Sequence, residues 1–195
     1  MIGEQALKQE YTVAKKKSAK PMLWISMISM VMFFAGLTSA YVISMKRDDW
    51  VSFDLPQAFY VSTFLIVASS ITLFLSQRLL KQNKRQLSLI FVIITLFLGI
   101  GFIWQQYVGF NQLKSIGLFF TGPESTVSTS FIIGITFMHV IHLFVGVVVL
   151  LVVIYNHFKY KYKSDDMLGF ELGAIFWHFV DILWIYLFFF FYFIR

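Results

Sequence analysis

His178 and Asp181 stand three positions apart in the closing run FWHFVDILWIYLFFFFYFIR, and His139 and His142 stand three apart in FMHVIHLFVG. Both stretches are otherwise almost wholly aromatic and aliphatic. On an α-helix a spacing of three puts the two members on one face, so each pair is a two-group site. Ionisable groups at membrane depth are costly and face protein or a water-filled cavity, which makes each a functional hypothesis. Imidazole is the commonest transition-metal ligand and titrates near neutral pH. Three chemistries compete: metal or haem ligation, a proton or ion path, and a structural clasp pairing the four groups across two helices.

Two haems bridged between two helices need four axial ligands, two per helix and several turns apart. Here one run has two histidines in adjacent turns and the other has one, so the spacing does not suit haem. A carboxylate with three histidines suits iron or copper in principle. A transporter shows further polar residues or broken helices near the membrane midplane, yet the three preceding apolar runs contain no Asp, Glu, Lys or His. The clasp asks least, at a net gain of about 1 kcal/mol per hydrogen bond, and is the reading the pairs favour taken alone. Gln105, Gln106 and Glu171 lie nearer the run ends and read as interfacial or capping groups, with Glu171 placed where a helix dipole stabilises a carboxylate. The chain has no cysteine, which excludes disulfides, thiolate metal sites and a cysteine nucleophile.

The elements that must position these groups follow from hydropathy. The 195 residues are 58% hydrophobic and 13% charged, and a bilayer core of about 30 Å needs about 20 apolar residues of helix. Five runs qualify, at about 22–45, 58–77, 88–108, 129–156 and 172–194. The expectation is an all-α membrane protein: a basic cytoplasmic segment over 1–21, then one five-helix domain over 22–195. The polar start lacks the form of a cleaved signal peptide. Twelve of the 16 basic residues flank the runs on one side and four (Lys46, Arg47, Lys114, Arg195) on the other, which places the N-terminus in the cytoplasm and the C-terminus outside. The same clusters suit anionic headgroups; nothing in their placement calls for nucleic acid. The second connector, RLLKQNKRQ, is a tight hairpin. The third is broken by Gly109, Gly117 and Gly122-Pro123. Gly36, Gly99, Gly101, Gly134 and Gly146 mark helix contact faces, and Trp24, Trp50, Trp104 and Tyr107 lie near interfaces.

These residues resemble subunit III of the haem-copper respiratory oxidases, typified by cytochrome c oxidase, and the resemblance runs through all five spans. Span five is the most specific: GFE followed by WHFVDILWIYLF puts Glu171, Trp177, His178, Phe179, Asp181 and Trp184 on matching positions. Span four, STSFIIGITFMHVIHLFVG, matches at Ser130, Thr136, His139, His142 and Gly146. Span one carries VMFFAG, span two Thr63, Ser69 and Thr72, and span three Phe102 and Gln106. The chain departs from the pattern in resembling only the last five of a common seven helices. Met30 and Gly109 stand where the family has glutamates.

The resemblance implies a subunit with no redox centre of its own: no catalytic residue, no metal and no cofactor held by this chain, with haem and copper in the partner subunits. It implies subunits I and II as partners, in an inner (cytoplasmic) membrane of bacterial type. It leaves room for bound phospholipid and for a larger respiratory supercomplex. The implied role is to stabilise subunit I and support proton uptake during electron transport to oxygen. Within the superfamily the alternatives are the equivalent subunit of a quinol oxidase or a nitric oxide reductase-associated homologue; from another class, a small autonomous transporter. His139, His142, His178 and Asp181 are then expected to form a structural polar cluster, with His178 and Asp181 answered by His139 or His142.

Overall fold

The computed structural model describes residues 2–48, 50–51, 54–120, 122, 125–162 and 167–194; Pro123, Lys163 and Arg195 lie outside them. Five helices run α1 (Ile2–Ser44), α2 (Gln57–Lys81), α3 (Arg85–Ser115), α4 (Val127–Phe158) and α5 (Leu168–Phe193). Each is long and apolar enough to cross a membrane.

Two boundaries differ from expectation. The first helix starts well before the expected residue 22, since α1 continues back through Pro21 and the basic stretch. Proline removes one hydrogen bond and crowds the preceding turn, but the flanking Ala19, Lys20, Met22 and Leu23 are strong helix formers. At 43 residues and 1.5 Å per residue, α1 is about 64 Å long, roughly twice the hydrocarbon thickness. Gly109, read as a helix breaker, lies inside α3. Its lack of a side chain serves packing instead: a Cβ there would meet Phe59 at 2.6 Å. The turn signals that do operate are Gly117 and Gly122, at φ +81° and +111°, values that only glycine adopts readily.

Buried positions on α2 and α3 repeat at alternating intervals of three and four. On α2 they are Phe59, Ser62, Ile66, Ser69, Leu73, Ser76 and Leu80, with Ala58 also buried in the first turn. On α3 they are Ser88, Val92, Thr95, Gly99, Phe102, Gln106, Gly109 and Leu113. That is a heptad seam of period 3.5, the signature of a left-handed coiled-coil pair. The connecting turn is as short as expected and reverses through Asn83 at φ 60°, a conformation asparagine tolerates. Ser76 donates to the Ser88 carbonyl at 2.7 Å next to that turn, and Gln112 Oε1 accepts from the Ala58 amide at 3.3 Å at the other end.

Helices α2, α3, α4 and α5 each pack on the next and close into a ring, while α1 lies outside against α4 and α5. Three contacts spread along its length fasten α1: Lys20 pairs with Glu171 at 2.7 Å, Thr38 shares a hydrogen bond with Tyr186 at 3.1 Å, and Tyr41 sits edge-on to Phe190 at 5.3 Å. Glu171 is therefore an ion-pair partner in the first turn of α5. Most of α1 faces outward with large apolar side chains such as Ile28, Met32 and Ile43. Gly36 does not serve packing within the chain, since a Cβ on it would meet nothing within 4 Å.

Candidate functional site

Trp177 and Trp184 are seven residues apart on α5 and therefore share one face. Both are fully buried. Each reaches into the ring of helices and donates its indole N–H to a hydroxyl on α2: Trp177 to Ser69 at 3.1 Å and Trp184 to Thr63 at 3.0 Å. As α5 advances seven residues, α2 retreats six, so the two helices run antiparallel through this contact. A buried indole N–H left without a partner would be costly, and these hydroxyls supply it.

Two layers result. In the first, Trp177 fills space that glycines leave open: a Cβ on Gly99 of α3 would lie 2.5 Å from its ring, and one on Gly146 of α4 would lie 3.2 Å from it. In the second, the Trp184 ring packs against Phe59 of α2 at 5.7 Å, Phe102 of α3 at 5.0 Å and His139 of α4 at 5.2 Å. One face of α5 thus touches every other helix of the ring.

Asp181 and His178 lie between these layers, and their partners are not the expected ones. Asp181 is buried and meets Ser69 at 3.5 Å. His178 Nδ1 shares a hydrogen bond with Ser70 at 2.6 Å. The clasp therefore joins α5 to α2, not α5 to α4. His139 is fully buried against the rings of Phe34, Phe102 and Trp184, and among the described residues neither of its nitrogens has a hydrogen-bond partner. His142 points toward α1, 5.6 Å from the Phe34 ring, and bonds the Met138 carbonyl of its own helix at 2.7 Å. The reason is rotational: three residues fall about 60° short of a full turn, so both rings reach Phe34 while His139 turns into the core and His142 toward the α1 groove. Gln106, read as interfacial, is buried and donates to Ser62 at 2.9 Å.

Chemically the arrangement is a binding seam. Ser70 and His178 have the reach of a nucleophile and its base, but the nearby carboxylate meets the Ser70 and Ser69 hydroxyls and does not orient the imidazole. Among the described residues no three His, Cys, Asp or Glu side chains are grouped to hold a metal ion. Replacing Asp181 with alanine removes its contacts with Ser69 and Ser70 and leaves a small void, while Ser69 keeps Trp177 and the Ile66 carbonyl as partners and Ser70 keeps His178. The expected loss is about 1–2 kcal/mol, read as a lowered thermal midpoint of the purified chain, with the haem spectrum of a complex containing it unchanged.

The seam had a signal in the sequence. Ser62, Ser69 and Ser76 recur every seven residues on α2, and each makes a bond to another helix. Thr72 does the same with Thr95 at 2.8 Å. A second junction had none: Arg85 donates to the His157 carbonyl at 3.0 Å, and the His157 ring meets the Arg85 carbonyl at 3.1 Å, tying the start of α3 to the end of α4.

A family model described as cytochrome c oxidase subunit III matches residues 1–195. Cytochrome c oxidase subunit 3 of Podospora anserina is 27% identical over 201 residues, covering 96% of this chain and 71% of the relative. The same subunit of Latimeria chalumnae is 25% identical, covering 96% and 74%, and that of Bos taurus is 24% identical with the same coverage. With the tryptophan and carboxylate positions of span five engaged in one interhelical seam, and the family pattern running the length of the five helices, this chain belongs to the cytochrome c oxidase subunit III family.

Proposed function

We propose that the chain is the accessory, non-redox subunit III of a proton-pumping terminal oxidase that passes electrons from cytochrome c to oxygen. It lies in an inner membrane of bacterial type with its N-terminus cytoplasmic and its C-terminus outside. Its work there is to hold against subunit I, stabilise it through turnover and support proton uptake, with subunit II completing the assembly. The observation that carries this reading is that Trp177, His178, Asp181 and Trp184, the family-matching groups of α5, bond to α2 or pack on the core. Such a chain is a rigid body to be docked, and the outward apolar face of α1 offers surface for a neighbour or for lipid. Affinity purification of the tagged chain from native membranes, followed by a visible spectrum of what accompanies it, tests the reading.

A further inference from the structure

We propose that the outward groove between α2 and α5 docks a transmembrane helix of a partner subunit, whose hydroxyl or carboxamide side chain exchanges a hydrogen bond with His178 Nε2 at mid-membrane depth. Within the chain the imidazole uses only one of its two nitrogens. Nδ1 shares a hydrogen bond with Ser70 at 2.6 Å, and Ser70 in turn meets the Asp181 carboxyl. Nε2 has no partner among the described residues, and unlike the two nitrogens of His139 it is not sealed inside the bundle. The His178 side chain is partly exposed.

Depth decides what that nitrogen needs. Ser70 stands one residue from the middle of α2, and His178 stands within three residues of the middle of α5, about 4 Å along the axis. Two helices thus place the pair near the bilayer midplane independently. Hydrocarbon offers no hydrogen bond there, and polar groups at that depth face protein or a water-filled cavity. The surface around Nε2 is otherwise apolar. Val67 and Phe74, a turn to either side of Ser70, are exposed on α2, and Ile185, two turns beyond His178, is partly exposed on α5. Among the described residues α1 packs on α4 and α5 and not on α2, so it leaves this groove open. One hydrogen-bonding atom in an apolar groove two helices wide suits a third helix better than a lipid tail. Apolar side chains pack along the groove, and a single polar side chain answers the imidazole, fixing the partner's depth and rotation. This docking surface rests on the reading of the chain as a subunit of a larger complex.

The test uses the complex captured from native membranes. The chain has no cysteine, so Val67→Cys and Phe74→Cys each carry a single photocrosslinker into the groove. Each is expected to give an adduct that peptide mass spectrometry maps to a transmembrane segment of a different polypeptide. Two amides then divide the imidazole between them: asparagine places its polar end near Nδ1, glutamine near Nε2. His178→Asn keeps the bond to Ser70 and gives up the outward group, and His178→Gln does the opposite. As the immobilised complex is washed with rising detergent, His178→Asn is expected to dissociate about three- to tenfold faster than wild type, with His178→Gln close to wild type. A role confined to the Ser70 bond gives the reverse order. The crosslinks do not depend on His178 and decide the surface even where a variant folds poorly. Equal dissociation of wild type and His178→Asn, the reverse order of the two variants, crosslinks to lipid alone, or crosslinks to a second copy of this chain would overturn the proposal. A crosslinked partner that carries no haem, with the expected order of dissociation, upholds the docking surface and contradicts the oxidase role.

Discussion

Trp184→Ala is expected to destabilise the chain by about 3–5 kcal/mol, the range for emptying a large aromatic from a packed core. The indole meets Phe59, Phe102 and His139 on three different helices, so no single neighbour can close the space. Trp184→Phe separates volume from hydrogen bonding: it keeps most of the packing and loses only the bond to Thr63, worth about 1 kcal/mol. Thr63 still donates to the Phe59 carbonyl at 2.8 Å. Thermal unfolding of the purified chain, followed by circular dichroism, should rank the wild type above Trp184→Phe and Trp184→Phe well above Trp184→Ala. Equal midpoints for the two variants would mean that the hydrogen bond, and not the layer of rings, holds α5 in the bundle.

Gly109→Glu, which restores a carboxylate the family resemblance places at that position, is expected to be at least as damaging. A Cβ alone would stand 2.6 Å and 2.9 Å from two atoms of the Phe59 ring, and that ring is fully buried and edge-on to Trp184. Phe59 therefore cannot swing away without disturbing the outer layer of the core. Overpacking of this kind costs about 1–3 kcal/mol, and a buried carboxylate with no partner adds several more. Gly109→Ala isolates the steric part. Its midpoint should fall between those of wild type and Gly109→Glu, and the companion change Phe59→Leu should recover part of the loss. No recovery would show that Phe59 is not what excludes a side chain at 109.

The five spans were legible because a bilayer imposes length and polarity on any helix that crosses it. Helix ends were not, since hydropathy registers the apolar stretch and says nothing of helix continuing beyond it, as α1 does through Pro21 and α3 does to Ser115. The identity of the polar residues was readable; their partners were not. Ring and carboxylate spacings within α5 fixed which groups share a face, but whether α2 or α4 answers them depends on how four helices close into a ring. The serine heptad on α2 carries that information. Serine hydroxyls in a membrane helix often bond back to their own turn, as Ser62 and Ser69 also do here, which disguises a contact stripe as local bonding. Glycine was misleading for the same reason at Gly109: one residue type marks turns and close packing alike, and only the neighbour Phe59 separates the two.

The account stands most directly on what accompanies the chain out of the membrane. Solubilisation of native membranes in a mild detergent, capture on a tag at either end of the chain, and a reduced-minus-oxidised visible spectrum of the eluate decide it. The account predicts a haem spectrum in the captured complex at constant ratio to the chain. It also predicts that harsher detergent releases the chain with no haem, while the haem signal remains with the partner. Haem retained on the released chain, or a chain that leaves the membrane alone under mild conditions and moves solute in liposomes, would contradict it.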